Sequence, residues 1–194
     1  MAKFPLVNFH VLWRPFELVP SSGQGRRMHK VDAYMSFMGD MRRVQDYFQR
    51  LRSEGAKTGI AFEFDGQTSS TLDAHRLTEW ALRTYGPDVQ DQLVEAQFSR
   101  YMEHGEPPNS VDSQVAAAAS MGLDADAARK VIENPQAFAQ ETTDKLQQNR
   151  RDGVSAVPNF RIGGREVASG AQPVEYWESL LRRIVLSQKP MDLP

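Results

Sequence analysis

Near its start the chain sets Val7, Phe9, Val11 and Trp13 in alternation with Asn8, His10, Leu12 and Arg14. A period of two predicts a strand over Val7–Arg14 with one well-buried face. Pro15 and Pro20 bracket its exit, and "SSGQGRR" is a loop. Alternation returns near the other end. Phe160 and Ile162 alternate with polar neighbours, Gly163-Gly164 follows, and Arg165–Ala168 can run back as a second strand. Two short runs split by Gly-Gly predict a tight hairpin, because primed turns need positive φ at both central residues. Val157-Pro158 opens the first run, where a proline costs no ladder hydrogen bond. By X-Pro chemistry alone that bond is an ordinary trans peptide. Pro173 suits the first turn of a helix. Val174, Trp177, Leu180, Leu181 and Ile184 then recur at helical spacing.

Between these ends, from Val31 to about Asp152, the pattern is almost wholly helical. Tyr34, Phe37, Met38, Met41, Val44, Phe48 and Leu51 form one apolar stripe ending near Gly55. The methionines read as adaptable core filler. "GIAFEF" is a brief extended piece with Ile60, Phe62 and Phe64 on one face. Ser70 and Asp73 predict a capping box at the start of "STLDAHRLTEWALRTYG", and Gly86-Pro87 ends that helix. A further helix carries Val89, Leu93, Ala96 and Phe98 towards Gly105. Ser110 and Asp124 are N-caps of two short helices, with Gly122 the C-cap between them. Asn134-Pro135 starts the last helix, which ends at Gly153. The ends are therefore α/β pieces and the middle is a helical insertion.

Composition narrows the function classes. The 194 residues suffice for one domain with a real core, and 40% hydrophobic with 25% charged residues is ordinary for a globular chain. A formal charge of -2 gives no electrostatic case for nucleic acid or an anionic membrane. No apolar run approaches the roughly 20 residues that span a bilayer. "MAKFPLVNFHVLW" does not have the plan of a signal peptide, so the expected compartment is the cytoplasm.

Candidate chemistry is sparse. The chain has no cysteine, which removes disulfides, thiolate metal sites and thiol catalysis from the sequence as written. His10, His29, His75 and His104 show no ligand spacing, so no metal is expected. The glycines at 23 and 25 lack the strand and the Gly-Lys-Ser/Thr of a phosphate loop and read as a flexible turn. Arg26–Lys30 reads as a solvated loop, and no Ser-His-Asp order suggests a hydrolase.

Four segments, in order along nearly the whole chain, resemble the DsbA-like thioredoxin superfamily and, within it, the FrnE-type branch of dithiol-disulfide isomerases. They are "VLWRPFELVP" with Trp13-Arg14-Pro15-Phe16, "STLDAHRL", "FSRYMEHGEPPNSVDSQVAAAASMGLD" and "GVSAVPNFRIGGREVASGAQPVEYW". The resemblance implies a single α/β thioredoxin-like domain over residues 1–194. Residues 1–30 and 153–194 would supply the thioredoxin parts and residues 31–152 the helical insertion. It also implies a strand, a Cys-Pro-Trp-Cys-like turn and a helix ahead of the Trp-Arg-Pro-Phe segment. Roughly 20–25 residues of that fold would then be absent before Met1. If nothing else moved, the strands flanking the missing one would stand roughly 9–10 Å apart. Such a chain is expected to pair them directly, borrow a strand from a second copy as a homodimer, or aggregate.

For the site, the resemblance implies that Pro158 is cis and shapes the backbone beside a reactive sulfur. The Val157 carbonyl and N–H would then be free for an extended peptide or glutathione. It also places Gly170-Ala171-Gln172 where glutathione-using relatives hold the γ-glutamyl carboxylate, as a helix N-terminus can. A plain cap by Gln172 with Pro173 explains the same residues equally well. His75 lies in the matched insertion helix and reads as a packed residue rather than an acid or base. Ser70 stands where the family has asparagine. No catalytic residue and no cofactor is assigned, glutathione entering only as substrate or ligand. Three readings follow: a thiol-disulfide oxidoreductase or isomerase relative, inactive as this cysteine-free chain; a non-catalytic relative that binds a peptide or small thiol; and a glutathione-dependent isomerase or transferase of kappa type.

Overall fold

The computed structural model describes residues 4, 7–18 and 26–187. Contacts divide the chain into two units, residues 1–10 with 149–194, and residues 11–148.

In the larger unit β1 (Met28–His29) pairs antiparallel with β2 (Gln67–Thr68). Gly66 and Gly105 allow the pairing: the Lys30 N–H donates to Gly66 O at 2.8 Å and the Gln67 N–H to Gly105 O at 3.1 Å. A Cβ at Gly66 would land on the Gly105 backbone. The expected solvated loop at Arg26–Lys30 is thus corrected beyond Arg27. Lys30 is 2% exposed, and its ammonium donates to Glu63 O at 2.8 Å and Tyr101 O at 2.5 Å. Burial pulls its pKa below the usual lysine value. Gly23, Gly25 and Pro20 lie outside the described residues.

The single stripe expected over residues 31–55 is two helices, α1 (Lys30–Met38) and α2 (Met41–Ala56). Gly39 at φ 68° ends the first, and Asp40 caps the second by accepting from the Arg42 and Arg43 N–H groups. The break rotates the stripe, so Phe37 and Met41 are exposed while Val44 and Phe48 are buried. Phe48 stacks on Phe64 with centroids 3.9 Å apart. Phe62 and Phe64 stack on one side as expected, but "GIAFEF" enters no ladder and Ile60 is exposed.

A second core joins α3 (Leu72–Tyr85), α4 (Pro87–Met102), α5 (Val111–Ser120) and α6 (Ala125–Glu133) through Leu77, Leu93, Ala118 and Val131. Pro87 opens α4, and Ser110 and Asp124 cap α5 and α6. The capping box at Ser70 does not form. Ser70 Oγ accepts from the Leu72 N–H at 3.2 Å, while Asp73 pairs with Arg76. Arg76 is 2% exposed, and its guanidinium also donates to the carbonyls of Val131, Ile132, Asn134 and Ala137. It thereby satisfies the carbonyls at the end of α6 with a full positive charge. The helix expected from Asn134-Pro135, α7 (Ala139–Arg151), starts later than expected. Asn134 Oδ1 accepts from the Gln136 N–H, and Phe138 at φ 55° holds residues 135–138 in a turn. The boundary between the units falls within α7.

The smaller unit contains β3 (Asn159–Ile162), β4 (Arg165–Ser169) and α8 (Val174–Ser187). Gly163 and Gly164, at φ 57° and 78°, make the hairpin turn. The strand expected over Val7–Arg14 is a correction: residues 7–17 enter no ladder. At Trp13 the reason is visible. Its N–H donates to Gln90 Oε1 at 3.0 Å and its carbonyl accepts from Gln90 Nε2 at 3.2 Å, so one buried amide takes both groups a ladder would use. Among the described residues β3 and β4 form a two-stranded sheet, without the direct pairing to Val7–Arg14 considered above.

Candidate functional site

The hairpin gathers the residues selected from sequence because of its register. Asn159 pairs with Ser169, so Pro158 and Gly170 are the next residues outward. The Gly170 N–H closes that end by donating to Pro158 O at 2.8 Å, and Gly170 can do so at φ 80°. The Val157–Pro158 peptide is cis. Val157 is 47% exposed, and among the described residues nothing bonds to its N–H or C=O. One exposed residue therefore carries a main-chain donor and a main-chain acceptor with no bond among the described residues.

Gln172 does not cap α8 with its carbonyl oxygen in the way sequence allowed. Its Nε2 donates to Ser169 O at 3.3 Å, which folds the side chain back onto β4. Ala171 is exposed between them. Val157, Pro158, Gly170, Ala171 and Gln172 thus form one continuous edge, held mainly by backbone.

A bulge fixes the orientation of this edge. Phe160 pairs with Ala168 but Arg161 with Glu166, leaving Val167 as the extra residue. The Tyr176 hydroxyl donates to the Val167 carbonyl, and Trp177 meets Phe160 edge-on with centroids 4.5 Å apart. Helix α8 is pinned to the hairpin by these two adjacent aromatics. At the other end Arg161 donates to Asp152 Oδ2 at 2.6 Å, fixing β3 to the residue after α7. Sequence periodicity identified Trp177 but gave no sign of Tyr176, whose role depends on a bulge.

His75 lies in the larger unit. Its Nε2 is 3.3 Å from Phe16 O and 3.2 Å from Thr71 Oγ1. A carbonyl opposite Nε2 requires that nitrogen to carry the proton. Burial lowers the His75 pKa to about 4, against a smaller opposing effect of the Phe16 bond, so the imidazole is neutral at pH 7. It lines a cavity of about 130 Å³ with Trp13, Arg14, Val94 and Phe98. Sequence reading missed this cavity, because its floor depends on Gln90, a polar residue with no periodic signature. Ser70 is used up at the entry to α3. Among the described residues no three His, Asp or Glu side chains gather as a metal site, and no helix is long and apolar enough to cross a membrane.

Comparisons with known proteins agree with this architecture. Residues 2–182 match the DSBA-like thioredoxin domain family. A crystal structure of a probable DsbA oxidoreductase from Streptomyces coelicolor is 26% identical and superposes with a TM-score of 0.78, covering 93% of this chain and 77% of that one. No curated protein sequence matches. With nearly its whole length inside the family match and a solved neighbour of the same fold, the chain belongs to the DSBA-like thioredoxin domain family.

Proposed function

We propose that this protein is a FrnE-type member of the DsbA-like family that binds an extended peptide or a small thiol such as glutathione and performs no thiol-disulfide exchange as this chain alone. One observation carries the reading: among the described residues nothing bonds to the main-chain N–H or C=O of Val157, an exposed residue beside Pro158, in a chain with no cysteine. Strand-like addition of a ligand would satisfy both groups at once. Exchange requires a thiolate to attack a disulfide sulfur, and the sequence supplies none. Gly170–Gln172 extend the same edge to the entry of α8, where unpaired N–H groups suit a ligand carboxylate. Membership of the branch rests on Trp13-Arg14-Pro15-Phe16 and the three other matched segments.

Two measurements test this. The purified chain is expected not to accelerate the reduction of insulin disulfides by dithiothreitol above the rate of a protein-free control. In NMR titrations, an extended peptide or glutathione is expected to move the Val157 and Gly170–Gln172 amides, and Gly170→Pro, which removes the donor to Pro158, is expected to weaken that response. Turnover above the control would overturn the inactive reading, and unmoved amides at saturating ligand would overturn the binding edge.

A further inference from the structure

The cavity in the helical block is separate in sequence from the hairpin edge, and its walls have a definite chemistry. Polar side chains surround it, yet nearly all are already engaged with the protein. Gln90 holds Trp13, Gln97 donates to Ala74 O at 3.3 Å and Gln114 Oε1 at 2.7 Å, and Gln114 donates to Pro108 O at 2.9 Å. No buried side-chain nitrogen or oxygen among the described residues lacks a partner. Trp13 and Phe98, packed edge-on at 5.6 Å, join Ala74 and Val94 to make the remaining surface apolar. A water needs two to four polar partners to reside stably, and an apolar cavity of about 150 Å³ takes benzene instead. At about 130 Å³, this one suits a single six-membered ring.

The charges around it point to a second feature of the occupant. Glu79 is bound by Lys145 at 2.5 Å and Glu106 by Arg100 at 2.9 Å, and His75 is neutral. Among the described residues, Arg14 is the one charged lining residue with no hydrogen-bond or ion-pair partner. It is exposed and also lines the cavity, so it stands at the mouth with its guanidinium available. A guanidinium without a partner matches a carboxylate by two parallel hydrogen bonds.

We infer that the cavity between α3, α4, α5 and the Trp13–Pro15 segment is a binding site for a small aromatic monocarboxylate, its ring against Trp13, Phe98 and Val94 and its carboxylate on Arg14. The hairpin edge plays no part in it, so the two sites stand or fall separately.

Benzoate is the probe, titrated into the full chain and followed by amide shifts at Ala74, Val94 and Phe98 and by Trp13 fluorescence. Saturable binding is expected. Acetate, which has the carboxylate without the ring, is expected to bind at least about tenfold more weakly. Arg14→Gln is expected to weaken benzoate about tenfold while leaving the binding of neutral toluene unchanged. Ala74→Leu, which fills the ring site, is expected to abolish both; Arg14→Gln lies at the surface and keeps the test decisive even if that variant misfolds. Absence of saturable benzoate binding overturns the inference. So does equal binding of acetate, which would mark an adventitious ion on an exposed arginine, and so does benzoate affinity indifferent to Arg14→Gln.

Discussion

In the hairpin of β3 and β4, the groups proposed to meet a ligand are main-chain atoms, in a turn and an edge shaped by Pro158, Gly163, Gly164 and Gly170. In the helical block, the decisive polar groups are long side chains buried far from their sequence neighbours, such as Arg76 across to α6, Glu79 to Lys145 and Gln90 to Trp13. The contrast teaches where each region is vulnerable. A backbone-built edge tolerates side-chain change but not a change in φ. A block organised by buried side-chain hubs tolerates surface change but not the loss of a hub, because every acceptor the hub served is then stranded in the interior.

The largest expected effect tests that claim directly. Arg76→Met keeps most of the side-chain stem and removes the charge, leaving four carbonyls and Asp73 without their donor. A buried acceptor left unpaired costs about 1–3 kcal/mol, so the loss of all four carbonyl bonds is expected to cost at least about 3 kcal/mol. Chemical denaturation followed by Trp80 fluorescence should show that loss. A change below about 1 kcal/mol would break the comparison, since the hub would then matter no more than a turn glycine.

His75 sharpens it through pH. Its folded pKa of about 4 lies below the ordinary histidine value of 6.5, so between these values the unfolded chain binds more protons than the folded one. Stability is then full above about pH 6.5 and falls as pH drops through this window. From pH 6.5 to 5 the loss from this one group is about 2 kcal/mol. His75→Gln retains a donor for Phe16 O and should flatten that part of the curve. Equal slopes for the two proteins would show that burial does not hold the imidazole neutral.

The same contrast explains what could be read from sequence. Hairpin and turn were legible, because Gly-Gly acts through local φ, a property of the residues themselves. The caps at Ser110 and Asp124 were legible for that reason too. The cis bond before Pro158, by contrast, came from the family resemblance and not from X-Pro chemistry. The break at Gly39-Asp40 was masked by a stripe that continues at helical spacing on both sides of it. The strand expected over Val7–Arg14 was misread because alternation reports only faces; it does not reveal that Gln90 occupies the Trp13 backbone from 77 residues away. Arg76, Gln90, Tyr176 and the Arg14 cavity were invisible, since each has its meaning only through a partner set by tertiary packing.

The smallest effect belongs to the turn, and it discriminates by residue type rather than by size of loss. A Cβ at Gly163 or Gly164 meets nothing within 4 Å, so packing cannot oppose a substitution there. What opposes it is the left-handed backbone, at φ 57° and 78°. That conformation costs an L-residue roughly 1–2 kcal/mol, less for asparagine, which visits it readily, and more for a β-branched residue. Gly163→Asn should therefore be nearly silent, Gly163→Ala should lose about 1 kcal/mol, and Gly163→Val should lose more. Hydrogen exchange of the β3 and β4 amides reads these losses locally, while exchange in α3 and α4 should stay unchanged. If alanine and asparagine were equally costly, the loss would come from side-chain bulk rather than from φ. The hairpin would then obey the same rule as the helical block.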